Sequence, residues 1–439
     1  NTEATTLDIS SFDTSNVIDM SYMFNVSNAT TLDLSNFNTS NVINMKGMFD
    51  NSKATSLDLS NFNTSQVTDM SNMFTLSNAT TLNIANFDTS NVTNMKNMFS
   101  NSKVTSLDLS HFNTSNVVDM SQMFLNSRAT VIDLSGFDTS NVTDMTNMFQ
   151  ASSATKGYAR TQEDANRFKV SSGKPARLVF RVKSEDGYVL AIDEDFEFKD
   201  DYNGYPVGIE TGYYLYIGDE EYVEIPNKIN GHELTSYYKM FDYAIVKGVK
   251  STNENITNMR YMFLRSKASE LDLSKLNTSN VTDMYGMFQQ NEATQLNVSG
   301  FDTSNVTTMR FMFFQSKARE LDLSNFNTSN VTDMFGMFEN SKATKLNVSS
   351  FDTRNVTDMG RMFDRIQATQ LNISNFDTSN VTNMSLMFNF SEATSLDLSN
   401  FNTSNVTNMS SMFLNSKARE LNLSSFDTRK VTEDRKSVV

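Results

Sequence analysis

The sequence predicts an α/β repeat solenoid: a ladder of parallel strands backed by short helices, in two arrays separated by a small β-rich domain. Three observations predict it. A 25-residue unit recurs without slippage, each unit carries two different apolar periods, and the composition changes abruptly after Thr155.

In the first array, residues 1–156, six coils begin at Leu7, Leu32, Leu57, Leu82, Leu107 and Ile132. Within a coil, Leu57-Asp58-Leu59 alternates apolar and polar residues, which is strand periodicity. Val67, Met70, Met73 and Phe74 follow at helical spacing. In Asn141-Val142-Thr143-Asp144, Asn141 is placed to cap that helix and Asp144 to answer from its first turn. Each coil is therefore expected to run strand, Phe turn, short helix, return. One coil buries too little apolar surface to offset its ordering entropy, so stacking on neighbours must supply the rest. Of the 27 methionines, 26 are the paired Met of M-x-x-M-F segments and the last is Met240. Their phase beside Val and Phe assigns them to the core rather than to an adaptable binding groove.

Residues 157–221 read as the β-rich domain. Alternating segments at 177–182, 188–192 and 196–198 predict strands, with Gly187, Gly204, Gly208, Gly212 and Gly218 in the turns. Residues 222–255 imitate half a coil, ending in Met240-Phe241, and read as an atypical repeat capping the second array. That array, residues 256–439, begins with a half coil. Seven coils follow, starting at Leu271, Leu296, Leu321, Leu346, Leu371, Leu396 and Leu421, the last incomplete. Both chain ends fall partway through a repeat, so the expectation is a piece of a longer protein whose targeting signals lie outside it.

The net charge of −15 argues against nucleic acid and anionic membrane surfaces as partners. No stretch has the length and apolarity of a membrane span. With no cysteine and two histidines, His111 and His232, no Cys/His or Ser/His/Asp constellation has support, and no enzyme activity is expected. Outward-facing acids on the strands, Asp33, Asp58, Asp108, Asp272, Asp322 and Asp397, form columns in which Asp and Asn interchange. Unbroken Asp columns would repel themselves, and interspersed Asn dilutes the charge and donates hydrogen bonds. These acids are candidate partner contacts. No cofactor is required, and calcium is the one ion such a ladder would admit. The acidic run Asp193, Glu194, Asp195, Glu197, Asp200, Asp201 lacks calcium-loop spacing and reads as a solvated loop. Tyr213, Tyr214 and Tyr216 are the second set of candidate contacts, since Tyr is enriched at interface hot spots.

The unit L-D-L-S-x-F-D-T-S-N-V-T-D-M-S-x-M-F resembles the repeat of BspA-like bacterial surface proteins, a family similar to leucine-rich repeats. Its near-identical copies cover about three quarters of the chain. The resemblance implies an extracellular solenoid on a bacterial cell surface, adhering to host protein, mucus, glycan or a neighbouring cell, with no catalytic motif. A second reading makes the arrays a spacer and leaves binding to residues 157–221.

Overall fold

A computed structural model of the chain describes residues 3–200, 206–207 and 210–433. The chain divides into two compact units, Asn1–Gly187 and Tyr188–Val439. Each is a solenoid of stacked coils joined by parallel backbone pairing.

One coil serves for all. The strand Ser56–Asp58 pairs in register with Thr81–Asn83 of the next coil. It is short because only Leu57 and Leu59 face inward before the chain turns, with the Phe62 N–H donating to the Leu59 carbonyl at 3.0 Å. The buried Thr64 hydroxyl then replaces a strand bond. It donates to the Asp88 carbonyl at 2.9 Å and accepts from the Asp88 N–H at 2.8 Å. Asp69 forms a second parallel bridge, in a column running Asp19, Asn44, Asp69, Asn94, Asp119, Asp144.

The M-x-x-M-F segment, expected as a helix, is a run of tight turns. The N–H groups of Met70, Asn72, Phe74 and Leu76 donate to carbonyls of Asn94, Lys96, Met98 and Ser100 in the next coil, at 2.8–3.1 Å. The intervening N–H groups of Met73, Thr75 and Ser77 donate three residues back. No N–H is left for the four-residue bond of an α-helix. Asn72 and Leu76 take φ of +58° and +53°, a left-handed conformation that ends a helix and suits the third residue of a tight turn. The same two positions are left-handed throughout both arrays, as at Gln122 and Asn126, or Tyr261 and Arg265. Met70, Met73 and Phe74 are nonetheless fully buried. Three-residue turns return side chains to one face much as a helix does, which is why the spacing reads as helical. Asn141 does not cap a helix. Its Nδ2 donates to the Ser115 carbonyl of the preceding coil at 2.6 Å, and Asp144 accepts from the Thr146 N–H at 2.8 Å. The architecture is thus a solenoid of parallel strands with almost no helix.

Stacking carries the core. Phe24, Phe49, Phe74, Phe99, Phe124 and Phe149 form a column with centroids 5.5–5.8 Å apart and rings within 11° of parallel. The column from Phe241 to Phe413 repeats this in the second unit. Offset stacks of this kind contribute about 0.5–1.5 kcal/mol each beyond area burial.

Residues 157–221 do not form one domain, because the boundary between the units falls inside them. Lys156–Ala159 and Val179–Val182 extend the first array's parallel sheet. Between them lies helix α1 (Gln162–Val170), the one α-helix among the described residues. It closes the array's end: Phe168 meets Phe149 edge-on at 5.9 Å. Asp164 accepts from the N–H and hydroxyl of Thr139 at 3.0 and 2.6 Å, where a further coil's backbone would otherwise sit. From Tyr188 the chain belongs to the second unit. Val189–Leu190, Tyr222–Glu224, Gly248–Lys250, Glu270–Asp272 and Gln295–Asn297 are successive neighbours in one parallel sheet. The antiparallel strands Phe196–Asp200 and Glu210–Tyr216 pair with each other beside this start. Asp201, Gly204 and Gly208 lie outside the described residues. No helix among the described residues is long and apolar enough to cross a membrane.

The left-handed turn predicts a specific stability order. Gln122 has φ of +57°. Gln122→Val should unfold at lower denaturant than Gln122→Gly, by about 1–2 kcal/mol, whereas a helical segment would penalise glycine more. Urea unfolding of the two variants checks this.

Candidate binding face

The outward acids prove to be turn formers. Oδ1 of Asp33, Asp58, Asp108, Asp272, Asp322 and Asp397 each accepts the backbone N–H of the serine two residues on, at 3.0–3.1 Å. An Asx turn needs only that oxygen, so Asn serves equally. Asn also reaches back along the column: Asn83 donates to Asp58 at 2.9 Å, Asn297 to Asp272 at 2.8 Å and Asn347 to Asp322 at 3.0 Å. Among the described residues no group of three or more His, Asp or Glu is gathered to hold a metal ion.

The three tyrosines separate. Tyr214 and Tyr216 are buried; Tyr216 lies over Phe241 at 5.3 Å and donates its N–H to the Met240 carbonyl. They close the start of the second unit's core. Tyr213 is half-buried and meets Tyr238 edge-on at 5.5 Å.

Tyr213 leads to a feature that sequence reasoning missed. From Tyr238, aromatic rings continue across the second array on the two positions between the paired methionines. Tyr261 lies 6.1 Å from Tyr238, Tyr285 5.1 Å from Tyr261, Phe311 5.8 Å from Tyr285 and Phe335 5.3 Å from Phe311. Phe314 joins at 5.4 Å from Phe311. Successive rings cross steeply, at 68–85°. Glycine makes the arrangement fit. A Cβ on Gly286 would stand 2.6 Å from Tyr261 Cε1, and one on Gly336 2.4 Å from Phe311 Cε1. Each ring therefore lies across the glycine of the following coil.

Cations are interleaved with the rings. Arg260 stacks on Tyr285 at 4.3 Å and pairs with Asp283 at 3.0 Å. Arg310 stacks on Phe335 at 4.0 Å and reaches Asp333 and Asp358 at 3.3 and 3.6 Å. Tyr261, Tyr285, Phe311, Phe314, Phe335 and Glu339 line an open groove of about 350 Å³. Burial pushes the Glu339 carboxyl above its ordinary value, opposed by the Arg361 guanidinium 3.0 Å away. Burial likewise raises the Tyr261 hydroxyl, helped by Tyr285.

The family model described as "Mycoplasma protein of unknown function, DUF285" matches residues 1–103, 51–162, 233–349 and 342–438. The chain belongs to the DUF285 family. No curated protein and no solved structure matches it. The family's repeat accounts for both arrays of this DUF285 protein, but the aromatic stripe is confined to one of them. In the first array the equivalent positions are Lys46-Gly47, Ser71-Asn72, Lys96-Asn97, Ser121-Gln122 and Thr146-Asn147, polar after the single Tyr22. The signal available in the sequence was this contrast between arrays at positions that the consensus treats as variable.

The Asx turns carry a pH prediction. Hydrogen bonds from the hydroxyl and N–H of the serine two residues on hold the Asp58, Asp322 and Asp397 carboxyls below their ordinary value. A carboxyl lowered in the folded state stabilises it above the unfolded value of about 4, and that contribution is lost as pH falls through the lower folded value. The triple variant Asp58→Asn, Asp322→Asn, Asp397→Asn keeps the acceptors and removes the titration. Its melting temperature should lie below the parent's at about pH 7, and the gap should close between about pH 5 and pH 3 because the parent's falls further, as followed by circular dichroism.

Proposed function

We propose that this protein is a binding module of the bacterial cell surface, and that the aromatic and arginine stripe of the second array is its recognition face. Its partner is a protein or glycan on a host or neighbouring cell. The observation that supports this reading is the run of half-buried rings from Tyr261 to Phe335, interleaved with Arg260 and Arg310. A ring that served only to fill the core would be buried like Phe263 or Phe288. Tyr and Arg are residues on which binding energy concentrates. The resemblance to BspA-like proteins, with its leucine-rich-repeat kinship, supplies the expectation of an extracellular setting. No catalytic chemistry is proposed, and no cofactor is needed for this role.

The spacer reading finds a place within the same proposal. The first array, polar at the stripe positions, takes the spacer's part. Tyr214 and Tyr216 are taken up in the core, so the insert of the alternative reading contributes mainly Tyr213.

The test is adhesion of the full chain to whole cells, matrix proteins and mucin, with and without calcium. Tyr285→Ala and Phe335→Ala should each weaken binding about 30-fold or more, since a hot-spot truncation costs about 2 kcal/mol or more. Lys46→Ala with Lys96→Ala in the first array should leave it unchanged. Loss with the lysine pair and retention with the aromatic pair would overturn the assignment.

A further inference from the structure

The stripe already binds cations, and they are its own. Arg260, next to Tyr261 in the chain, stacks on Tyr285 at 4.3 Å. Arg310 sits in the corner between Phe311 and Phe335, 5.2 and 4.0 Å from their centroids. These two rings cross at 85° with centroids 5.3 Å apart, so one cation engages both. The intervening corner, Tyr285 with Phe311, is built alike: the rings cross at 74°, 5.8 Å apart. Its coil has no arginine to fill it, because Tyr285 stands in the arginine's place and Gly286 follows. Tyr285, Phe311 and Phe314 all line the groove of about 350 Å³, and Phe314 adds a third ring 5.4 Å from Phe311. Arg361, at the far end, is the one cation among the described residues lining it.

The polar groups select among cations. A primary ammonium brings three N–H donors, and each needs an acceptor once water is displaced. The carboxylates nearby are committed. Asp283 pairs with Arg260 at 3.0 Å, Asp333 and Asp358 with Arg310 at 3.3 and 3.6 Å, and Glu339 with Arg361 at 3.0 Å. Gln289 is the one amide side chain among the described residues lining the groove. A trimethylammonium group has no N–H to satisfy. It presents methyls to the rings and spreads its charge over them, and crossed aromatic rings are its usual seat, within about 6 Å of each centroid.

Charge agrees. At the far end Glu339 and Asp364 are balanced by Arg361 and Arg365, so that end favours neither sign. Beside the rings three carboxylates, Asp283, Asp333 and Asp358, face two guanidinia, Arg260 and Arg310. One negative charge is left over there, which suits a single positive charge on the ligand.

We propose that the corner between Tyr285 and Phe311 binds a trimethylammonium group of the choline type. This assignment rests on the stripe being the recognition face and adds the chemical group recognised there.

The experiment is isothermal titration calorimetry of the full chain with three probes. They are phosphocholine, phosphoethanolamine with its primary ammonium, and the tert-butyl isostere of phosphocholine, in which carbon replaces the charged nitrogen. Phosphocholine should bind about tenfold more tightly than either. Phe311→Leu and Tyr285→Leu, which keep apolar bulk but remove the ring, should each weaken it about tenfold, with the circular dichroism spectrum retained. Phe311→Tyr should keep it, and so should Tyr22→Leu in the first array. Vesicles identify the carrier. Sedimentation with phosphatidylcholine but not phosphatidylglycerol vesicles, prevented by Phe311→Leu, places the group on a lipid, and binding of phosphocholine without vesicle binding places it on a soluble carrier. Equal binding of the tert-butyl isostere overturns the proposal, and so does phosphocholine binding that ignores Phe311→Leu. If the leucine variants abolish adhesion to cells while phosphocholine neither binds nor competes, the chemical group is wrong and the recognition face stands. If adhesion ignores those variants while phosphocholine binds and Phe311→Leu prevents it, the corner's chemistry stands and the adhesive reading fails.

Discussion

Everything in this molecule depends on how the turn between the paired methionines distributes its N–H groups. Alternate ones cross to the next coil and the rest close turns three residues back, as at Asn72 to Ser77. This division requires left-handed residues at two fixed places per coil, such as Asn72 and Leu76. It also means that a coil is unsatisfied by itself. Its backbone groups find partners only when another coil is present, so the units must form as stacks, and each stack end needs special treatment. Helix α1 with Asp164 closes the end of the first unit, and Tyr216 over Phe241 closes the start of the second.

The same backbone rule explains which positions are free to evolve function. Leu, Val, Met and Phe columns are fixed by the core, Thr64 and its equivalents by their double bond to the next coil, and Asp or Asn by the Asx turns. The two residues between the methionines belong to none of these columns, and the second of them is left-handed. An aromatic there leans over the next coil and demands glycine from it, as Tyr261 does of Gly286 and Phe311 of Gly336. Alternation of aromatic and glycine is therefore the way this scaffold carries a row of rings, and it doubles the repeat from one coil to two.

Much of the fold is legible in the sequence. The 25-residue period points to the solenoid, and the Leu-x-Leu segment to the parallel strands seen at Ser56–Asp58 and Thr81–Asn83. The methionine segment reads as helical because turns closed three residues apart bury Met70, Met73 and Phe74 as a helix would. Side-chain periodicity alone does not distinguish where the N–H groups go. The insert misleads for a different reason: Val189–Leu190 and Val179–Val182 look alike as strands, yet each pairs with its own array. Of the candidate contacts, the acids do face outward, but the reason for Asp or Asn there is the turn at Ser60 and its equivalents. Tyr214 and Tyr216 give no sign of their burial in the sequence, since amphipathic tyrosines in a strand serve the core and the surface equally well.

Whether one face of one array meets the partner is tested most directly by hydroxyl-radical footprinting of the full chain, free and bound to adherent cells, because aromatic rings are among the groups that react. Protection is predicted at Tyr261, Tyr285, Phe311, Phe314 and Phe335, with Tyr22 and Leu76 of the first array labelled equally in both states. Protection confined to the first array, with the stripe still reactive in the bound state, would contradict the account.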